Sequence, residues 1–265
     1  MSTVKIYQLD AFTTQLFRGN PAAVCPLDDW PETALLQQIA AENNLSETAF
    51  FVGRNGDYEL RWFTPEVEVN LCGHATLATA AVIFATLAPQ LTQLRFKTRS
   101  GQLIVVRETN NLAIDLPAQE GKAIEIEEEL VAAIGARPIQ VLEGEDWLLE
   151  FETETQVADL NPRFEALAQL PARGFIATAP GKDRDVDFVS RFFAPSAGIN
   201  EDPVTGSAHC MLTPFWTRKL GWRPLKARQI SKRGGELECE FLEDRVVLRG
   251  HCVEYMRGEL NLRIP

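Results

Sequence analysis

Gly73 and Gly206 each come directly before a long apolar run, so each marks a helix start where unsatisfied N–H groups and the positive end of the helix dipole are presented together. Such starts bind anions without special side chains, and a carboxylate is the natural small ligand for a matched pair. His74 and Ser207 follow them and add backbone amides, and Ser207 adds a hydroxyl. A glycine before a helix also serves simply as a tight turn, and that use stays open here. Glu47 is the candidate acid. It lies between Leu45 and the apolar stretch Thr48-Ala49-Phe50-Phe51-Val52. A carboxyl drawn into a half-buried cleft there loses hydration, which raises its pKa into a range that suits proton shuttling. On these residues alone it reads more readily as a strand-opening or capping glutamate, with Ser46 as a neighbouring cap. Asp202 stands four residues before Gly206 and opens an Asp-Pro turn.

Other chemistry is less favoured. The three histidines, His74, His209 and His251, show no H-E-x-x-H or paired spacing, so no metal site is expected, and His209 within an apolar run reads as a packed, satisfied histidine. At His74 the backbone N–H is the expected binding group, with the ring as a secondary contact. The five cysteines lack C-x-x-C spacing and are odd in number, which fits free thiols in a reducing compartment. No basic, apolar and small-residue leader pattern opens the sequence, so a cytoplasmic protein is expected. With 26 Lys and Arg against 37 Asp and Glu, the formal charge is −11. That acidity argues against nucleic acid and anionic membrane surfaces as partners. The apolar tract 71–88 is interrupted by Gly73, His74 and threonines and reads as a buried helix, not a membrane span.

The elements that must position these residues occur twice. Arg61-Trp62-Phe63-Thr64-Pro65 matches Arg191-Phe192-Phe193-Ala194-Pro195 at an offset of 130, and Gly73-His74-Ala75 matches Gly206-Ser207-Ala208 at 133. Phe96 to Leu103 matches Ile230 to Leu237 at 134. Three collinear matches predict a duplicated unit. Periodicity and turn residues predict short strands near 4–9, 22–25, 47–52 and 58–63, a helix over 32–43, a buried helix over 74–87, and strands near 92–97, 103–107 and 112–116. The second half repeats the order, with helices near 127–134 and 162–170, strands near 174–179 and 187–193, an apolar helix over 207–220, and strands near 225–231, 237–242, 245–249 and 260–264. Pro214 is expected to kink or shorten that helix. The predicted fold is α+β, with two pseudo-symmetric lobes, each a curved, mostly antiparallel sheet wrapped around a central apolar helix. The expected lobes are 1–118 and 119–265, with the strand at 258–265 a candidate to return to the first lobe.

Four motifs carry a resemblance: Arg18-Gly19-Asn20-Pro21-Ala22-Ala23-Val24, Asn44-Leu45-Ser46-Glu47-Thr48-Ala49-Phe50, Cys72-Gly73-His74-Ala75-Thr76 and Glu201-Asp202-Pro203-Val204-Thr205-Gly206-Ser207-Ala208. Together they resemble the phenazine-biosynthesis PhzF-like proteins, which share the diaminopimelate epimerase-like fold. The resemblance implies an isomerase without metal or organic cofactor, working on a small carboxylate-bearing substrate in a cleft between two lobes, commonly as a homodimer. It places the acid/base glutamate at Glu47 and an active-site aspartate at Asp202, with Glu201 expected outward. The three-residue growth of the repeat offset leaves Asp202 in a segment without a first-lobe counterpart. In thiol-based epimerases of this fold a cysteine precedes the glycine in each lobe. Here those positions hold Cys72 and Thr205, so a thiol-dependent amino-acid racemase is the alternative isomerase, disfavoured by Thr205. A non-catalytic carboxylate-binding protein is the alternative outside enzymes.

Overall fold

The computed structural model describes residues 2–262. It divides into two compact units, one made of residues 1–115 and 249–265 and the other of residues 116–248. The return to the first unit therefore begins at Arg249, ahead of the expected 258.

In the first unit β1 (Ser2–Ala11) pairs antiparallel with β2 (Asn20–Leu27). Helix α1 (Thr33–Asn43) leads to β3 (Glu47–Arg54), which runs parallel to β2 and antiparallel to β4 (Asp57–Phe63). A two-residue strand, β5 (Glu68–Val69), precedes α2 (Gly73–Val82), which continues as a π-helical turn over Ile83–Leu87. β6 (Gln93–Thr98) returns parallel to β4, followed by the antiparallel β7 (Gly101–Arg107) and β8 (Leu112–Pro117). Helix α2 is thus the crossover between two parallel strands. It has no polar face, and all but one of its residues are buried, as an unbroken apolar helix requires. The neighbouring core is built from Ile6, Ala23, Cys25, Leu36, Ile39, Phe50 and Phe63.

The second unit opens with β9 (Lys122–Ile124), α3 (Glu128–Ile134), β10 (Gln140–Glu143) and β11 (Trp147–Glu150). Two short helices, α4 (Glu154–Ala158) and α5 (Phe164–Leu167), lead to β12 (Phe175–Pro180), parallel to β11, and the antiparallel β13 (Phe188–Ala194). A 3-10 turn over Pro195–Ala197 and β14 (Ile199–Asp202) precede α6 (Gly206–Leu220). β15 (Leu225–Gln229) returns parallel to β13, and β16 (Gly235–Leu242) and β17 (Arg245–Gly250) follow. Strand, buried helix and parallel strand recur in the same order in both units, so the duplicated α+β organisation is that of the sequence repeat.

Pro214 does not shorten α6, which runs on to Leu220. Its ring removes the N–H that would bond the carbonyl of Cys210, and the Gln119 backbone N–H donates to that oxygen instead, at 3.0 Å. Beyond it, Trp216 stacks on Phe188 with ring centroids 5.7 Å apart and donates its indole N–H to the Thr178 hydroxyl at 2.9 Å. The last strand, β18 (Cys252–Leu262), is longer than expected and pairs along the whole of β1. The expected strand over 260–264 ends in residues 263 and 264, which lie outside the described ones.

Candidate active site

The backbone dictates where Glu47 sits. Asn44 ends α1 in the left-handed conformation, turning the chain sharply so that Glu47 becomes the first residue of β3, paired with Ala22 of β2. Just ahead of β2, Gly19 adopts φ +66°, and a Cβ there would lie 2.2 Å from the Ala11 carbonyl oxygen. Only glycine fits, and it delivers Asn20 fully buried at the start of β2. Cys72, in extended conformation, feeds Gly73 and His74 into the first turn of α2.

These three elements converge on one imidazole. His74 Nε2 lies 3.1 Å from Glu47 Oε2, with the two side chains 5% and 12% exposed. Nδ1 of the same ring lies 3.2 Å from Asn20 Nδ2 and 3.5 Å from Cys72 Sγ. The Glu47–His74 approach is an ion-pair distance without hydrogen-bond alignment, because neither Glu47 Oε2 nor His74 Nε2 completes an angled hydrogen bond. The His74 ring thus stands among Glu47, Asn20 and Cys72. Burial pulls its imidazolium down, yet the neighbouring Cys72 sulfur and Glu47 carboxylate outweigh that and hold its pKa well above the ordinary value. Burial pushes the Cys72 thiol up to about 11, with the Glu47 charge adding to the rise. Near neutrality that thiol keeps its proton, so the negative group facing His74 there is Glu47.

The second unit presents a different arrangement. Asp202 ends β14 and is buried. Thr205, at the cap position of α6, donates its hydroxyl to Asp202 Oδ2 at 2.5 Å. The buried Gln229 on β15 ties the loop together: its Nε2 donates to the Asp202 carbonyl oxygen at 2.8 Å and to the Thr205 hydroxyl oxygen at 3.2 Å, and its Oε1 accepts the Thr205 N–H at 2.9 Å. Gly206 and Ser207 form the first turn of α6, and no side chain caps either this helix or α2. His209 Nδ1–H donates to the Thr205 carbonyl oxygen, 2.8 Å away, and burial pulls its pKa down to about 4.

Two sequence expectations are corrected. Glu201 does not face outward but holds Arg191 through both guanidinium arms at 2.7 and 3.0 Å. Arg61 grips Glu68 in the same way at 2.8 Å, and each arginine also lies over the phenylalanine two residues on. Glu201 is therefore the counterpart of Glu68 at an offset of 133, which makes Asp202 the counterpart of Val69. The three extra residues lie upstream, in the 3-10 turn over Pro195–Ala197 and the left-handed Gly198 that ends it. Asn20 and Gln229 were missed as site residues. Asn20 stands within one of the four motifs, whereas no sequence signal marks Gln229. Spacing also hid the one group among the described residues whose donor atoms could share a metal ion, Glu47, Cys72 and His74. No described helix is long and apolar enough to cross a membrane.

Comparison with known proteins agrees with this architecture. The family model described as phenazine biosynthesis-like protein matches residues 9–258. An uncharacterized isomerase of Pseudomonas aeruginosa is 51% identical over 257 residues, covering 97% of this chain and 98% of its own, and another from Halalkalibacterium halodurans is 43% identical over 265 residues, covering 99% and 100%. The crystal structure of a PhzF-family protein of Enterococcus faecalis superposes with a TM-score of 0.95 at 44% identity, over 98% of this chain and 100% of its own. A hydroxyproline epimerase of Agrobacterium vitis shares the fold alone, with a TM-score of 0.64 at 9% identity over 99% of this chain and 94% of its own. The chain belongs to the phenazine biosynthesis-like PhzC–PhzF family and is an isomerase of that family.

Proposed function

We propose that the protein is a cofactor-independent isomerase that moves a proton within a small carboxylate-bearing metabolite. Glu47 is the base and then the acid. Its carboxylate takes a proton from a substrate carbon, the electron pair delocalises into the substrate, and the same carboxyl returns the proton at another carbon. The observation that carries this reading is the Glu47 Oε2–His74 Nε2 approach of 3.1 Å, in which both atoms are buried and neither completes a hydrogen bond. The Glu47 carboxylate faces the His74 imidazole there and is the proposed proton acceptor. The amides of Gly73 and His74, and those of Gly206 and Ser207, are the proposed holders of the substrate carboxylate. Asp202, held by Thr205 and Gln229, is the proposed partner of a substrate amine or hydroxyl. A homodimer is carried with this proposal from the family resemblance and is read by sedimentation equilibrium.

Two observations disfavour thiol chemistry. The Cys72 thiol is held protonated near neutrality by burial, and a threonine occupies the equivalent position at 205. The test is deuterium incorporation from heavy water into a panel of cyclic and acyclic amino and hydroxy carboxylates. Wild type is expected to exchange and Glu47→Gln to lose exchange while keeping ligand affinity. Exchange that survives Glu47→Gln and disappears in Cys72→Ala refutes the carboxylate assignment in favour of the thiol. Ligand binding without exchange in wild type makes the protein a carboxylate binder.

A further inference from the structure

We propose that Glu47, Cys72 and His74 form a binding site for a zinc-class divalent metal ion, which occupies the site reversibly and blocks proton transfer. The inference rests on the proposed role of Glu47 only for its inhibitory consequence; the site itself is argued from geometry. One ligand atom from each residue lies within 4.8 Å of the other two. Tetrahedral zinc, with bonds of about 2.0–2.3 Å, needs ligand atoms roughly 3.3–3.8 Å apart, so the set closes once Cys72 Sγ, which lies 3.5 Å from Nδ1, turns toward the Nε2 side of the ring. Two of the intended ligand atoms, Glu47 Oε2 and His74 Nε2, are buried and complete no hydrogen bond.

The donor chemistry selects the ion. One sulfur, one imidazole nitrogen and one carboxylate oxygen suit zinc or cobalt and not magnesium or calcium, which take oxygen ligands. When the metal binds, the Cys72 S–H proton and the His74 Nε2–H proton both leave to solvent. The thiolate and the Glu47 carboxylate then balance the divalent charge, leaving a neutral buried complex. With Nε2 on the metal, Nδ1–H faces the Asn20 amide, 3.2 Å away, which supplies the outer partner that metal-bound imidazoles ordinarily have once its oxygen is turned inward. Three protein ligands leave a fourth position open to water or to a substrate carboxylate.

The probe is cobalt, titrated into the chelator-treated full-length protein and followed by its near-ultraviolet thiolate charge-transfer band. Expected are one ion per chain, displacement by zinc, loss of the band in Cys72→Ser, retention of the band in Cys210→Ser, and affinity weakened at least about tenfold in Glu47→Gln. Zinc is expected to inhibit deuterium exchange in wild type over the same concentrations at which it displaces cobalt. X-ray absorption of the zinc complex of unmodified protein is expected to show one sulfur among nitrogen and oxygen neighbours, a measurement that needs no variant to fold. A band absent from wild type, a band that survives Cys72→Ser, or a zinc shell without sulfur overturns the proposal. A metal complex with the expected shell upholds it even where no substrate exchanges and the isomerase reading has failed.

Discussion

The protonation state of His74 depends on Glu47, and replacing Glu47 by Gln isolates that dependence. At 3.1 Å a full charge pair is worth about 5 kcal/mol at an effective dielectric of about 20, and still about 1 kcal/mol in the limit of bulk water. The lower figure is close to a tenfold change in a protonation equilibrium. Glutamine keeps the size of the side chain and removes its charge, while burial of the ring is unchanged. His209 is the internal control: it is fully buried without a carboxylate partner, and its pKa lies near 4. His74 in Glu47→Gln is therefore expected to titrate lower than in wild type, where it titrates well above the ordinary histidine value. With only three histidines in the chain, heteronuclear NMR of the imidazole C–H signals across a pH series resolves each directly. Stability obeys the same linkage. In wild type the His74 contribution is complete below about pH 6.5 and is lost as pH rises through the raised folded value. The variant is expected to show a smaller alkaline loss, ending at lower pH. An unmoved His74 midpoint in Glu47→Gln, or one that moves together with His209, refutes the pairing.

The remaining predictions concern the supports of the site. Burial of neutral His209 makes the unfolded state bind its proton first, so stability falls as pH drops from about 6.5 to about 4, by about 3 kcal/mol at 1.4 kcal/mol per pH unit. Urea melts of His209→Gln across that window are expected to lose most of the slope, and an unchanged slope sinks the assignment. Gln229→Ala removes three hydrogen bonds around Asp202 and Thr205 and is expected to cost about 3 kcal/mol in thermal unfolding. It is also expected to reduce turnover in excess of any loss of folded protein, and a variant that melts and turns over like wild type shows that the loop holds itself. Gly19→Ala places a Cβ 2.2 Å from a carbonyl at a left-handed position and is expected to cost more than about 2 kcal/mol, with Asn20 displaced. A melting temperature equal to wild type would contradict that close approach.

Strong periodicity and turn chemistry made the duplicated core legible from sequence. The two apolar helices, their leading glycines and the three strands directly after each lie within a few residues of expectation. What escaped has identifiable causes. β10 and β11 are four residues each and begin or end in polar side chains, so neither shows alternation long enough to register. β18 is rich in exposed and charged residues, and only its pairing along β1 makes it a strand. The effect of Pro214 could not be read locally, because the donor that replaces its missing N–H, Gln119, comes from nearly a hundred residues earlier in the chain. At the site, Glu47 and His74 were legible as separate motif residues. Their contact was not, since it depends on β3 and the start of α2 meeting across 27 positions of sequence.

The internal repeat, once aligned by its arginine–glutamate pairs, shows how one unit has been put to two uses. At an offset of 133, Val69 corresponds to Asp202, Cys72 to Thr205, His74 to Ser207 and Thr76 to His209. The carbonyl of the residue before the helix is bonded in both units by the side chain four positions on. In the first unit the Thr76 hydroxyl donates to Cys72 O at 2.6 Å, and in the second His209 Nδ1 meets Thr205 O at 2.8 Å. A threonine performs this backbone task with no titrating group, which leaves the first unit's imidazole at position 74 to face Glu47. In the second unit the imidazole itself performs it and is kept neutral by burial. The same residue type is thus charged in one copy and uncharged in the other, because only one copy places a carboxylate beside it. On the proposed reading proton transfer belongs to the first unit, while in the second the position of Asp202 is set by Thr205 and Gln229. Exchanging the pair, with Thr76→His and His74→Ser together, would move the imidazole to the backbone task and remove it from Glu47. Deuterium exchange retained at the wild-type rate in that double variant would refute this division of labour.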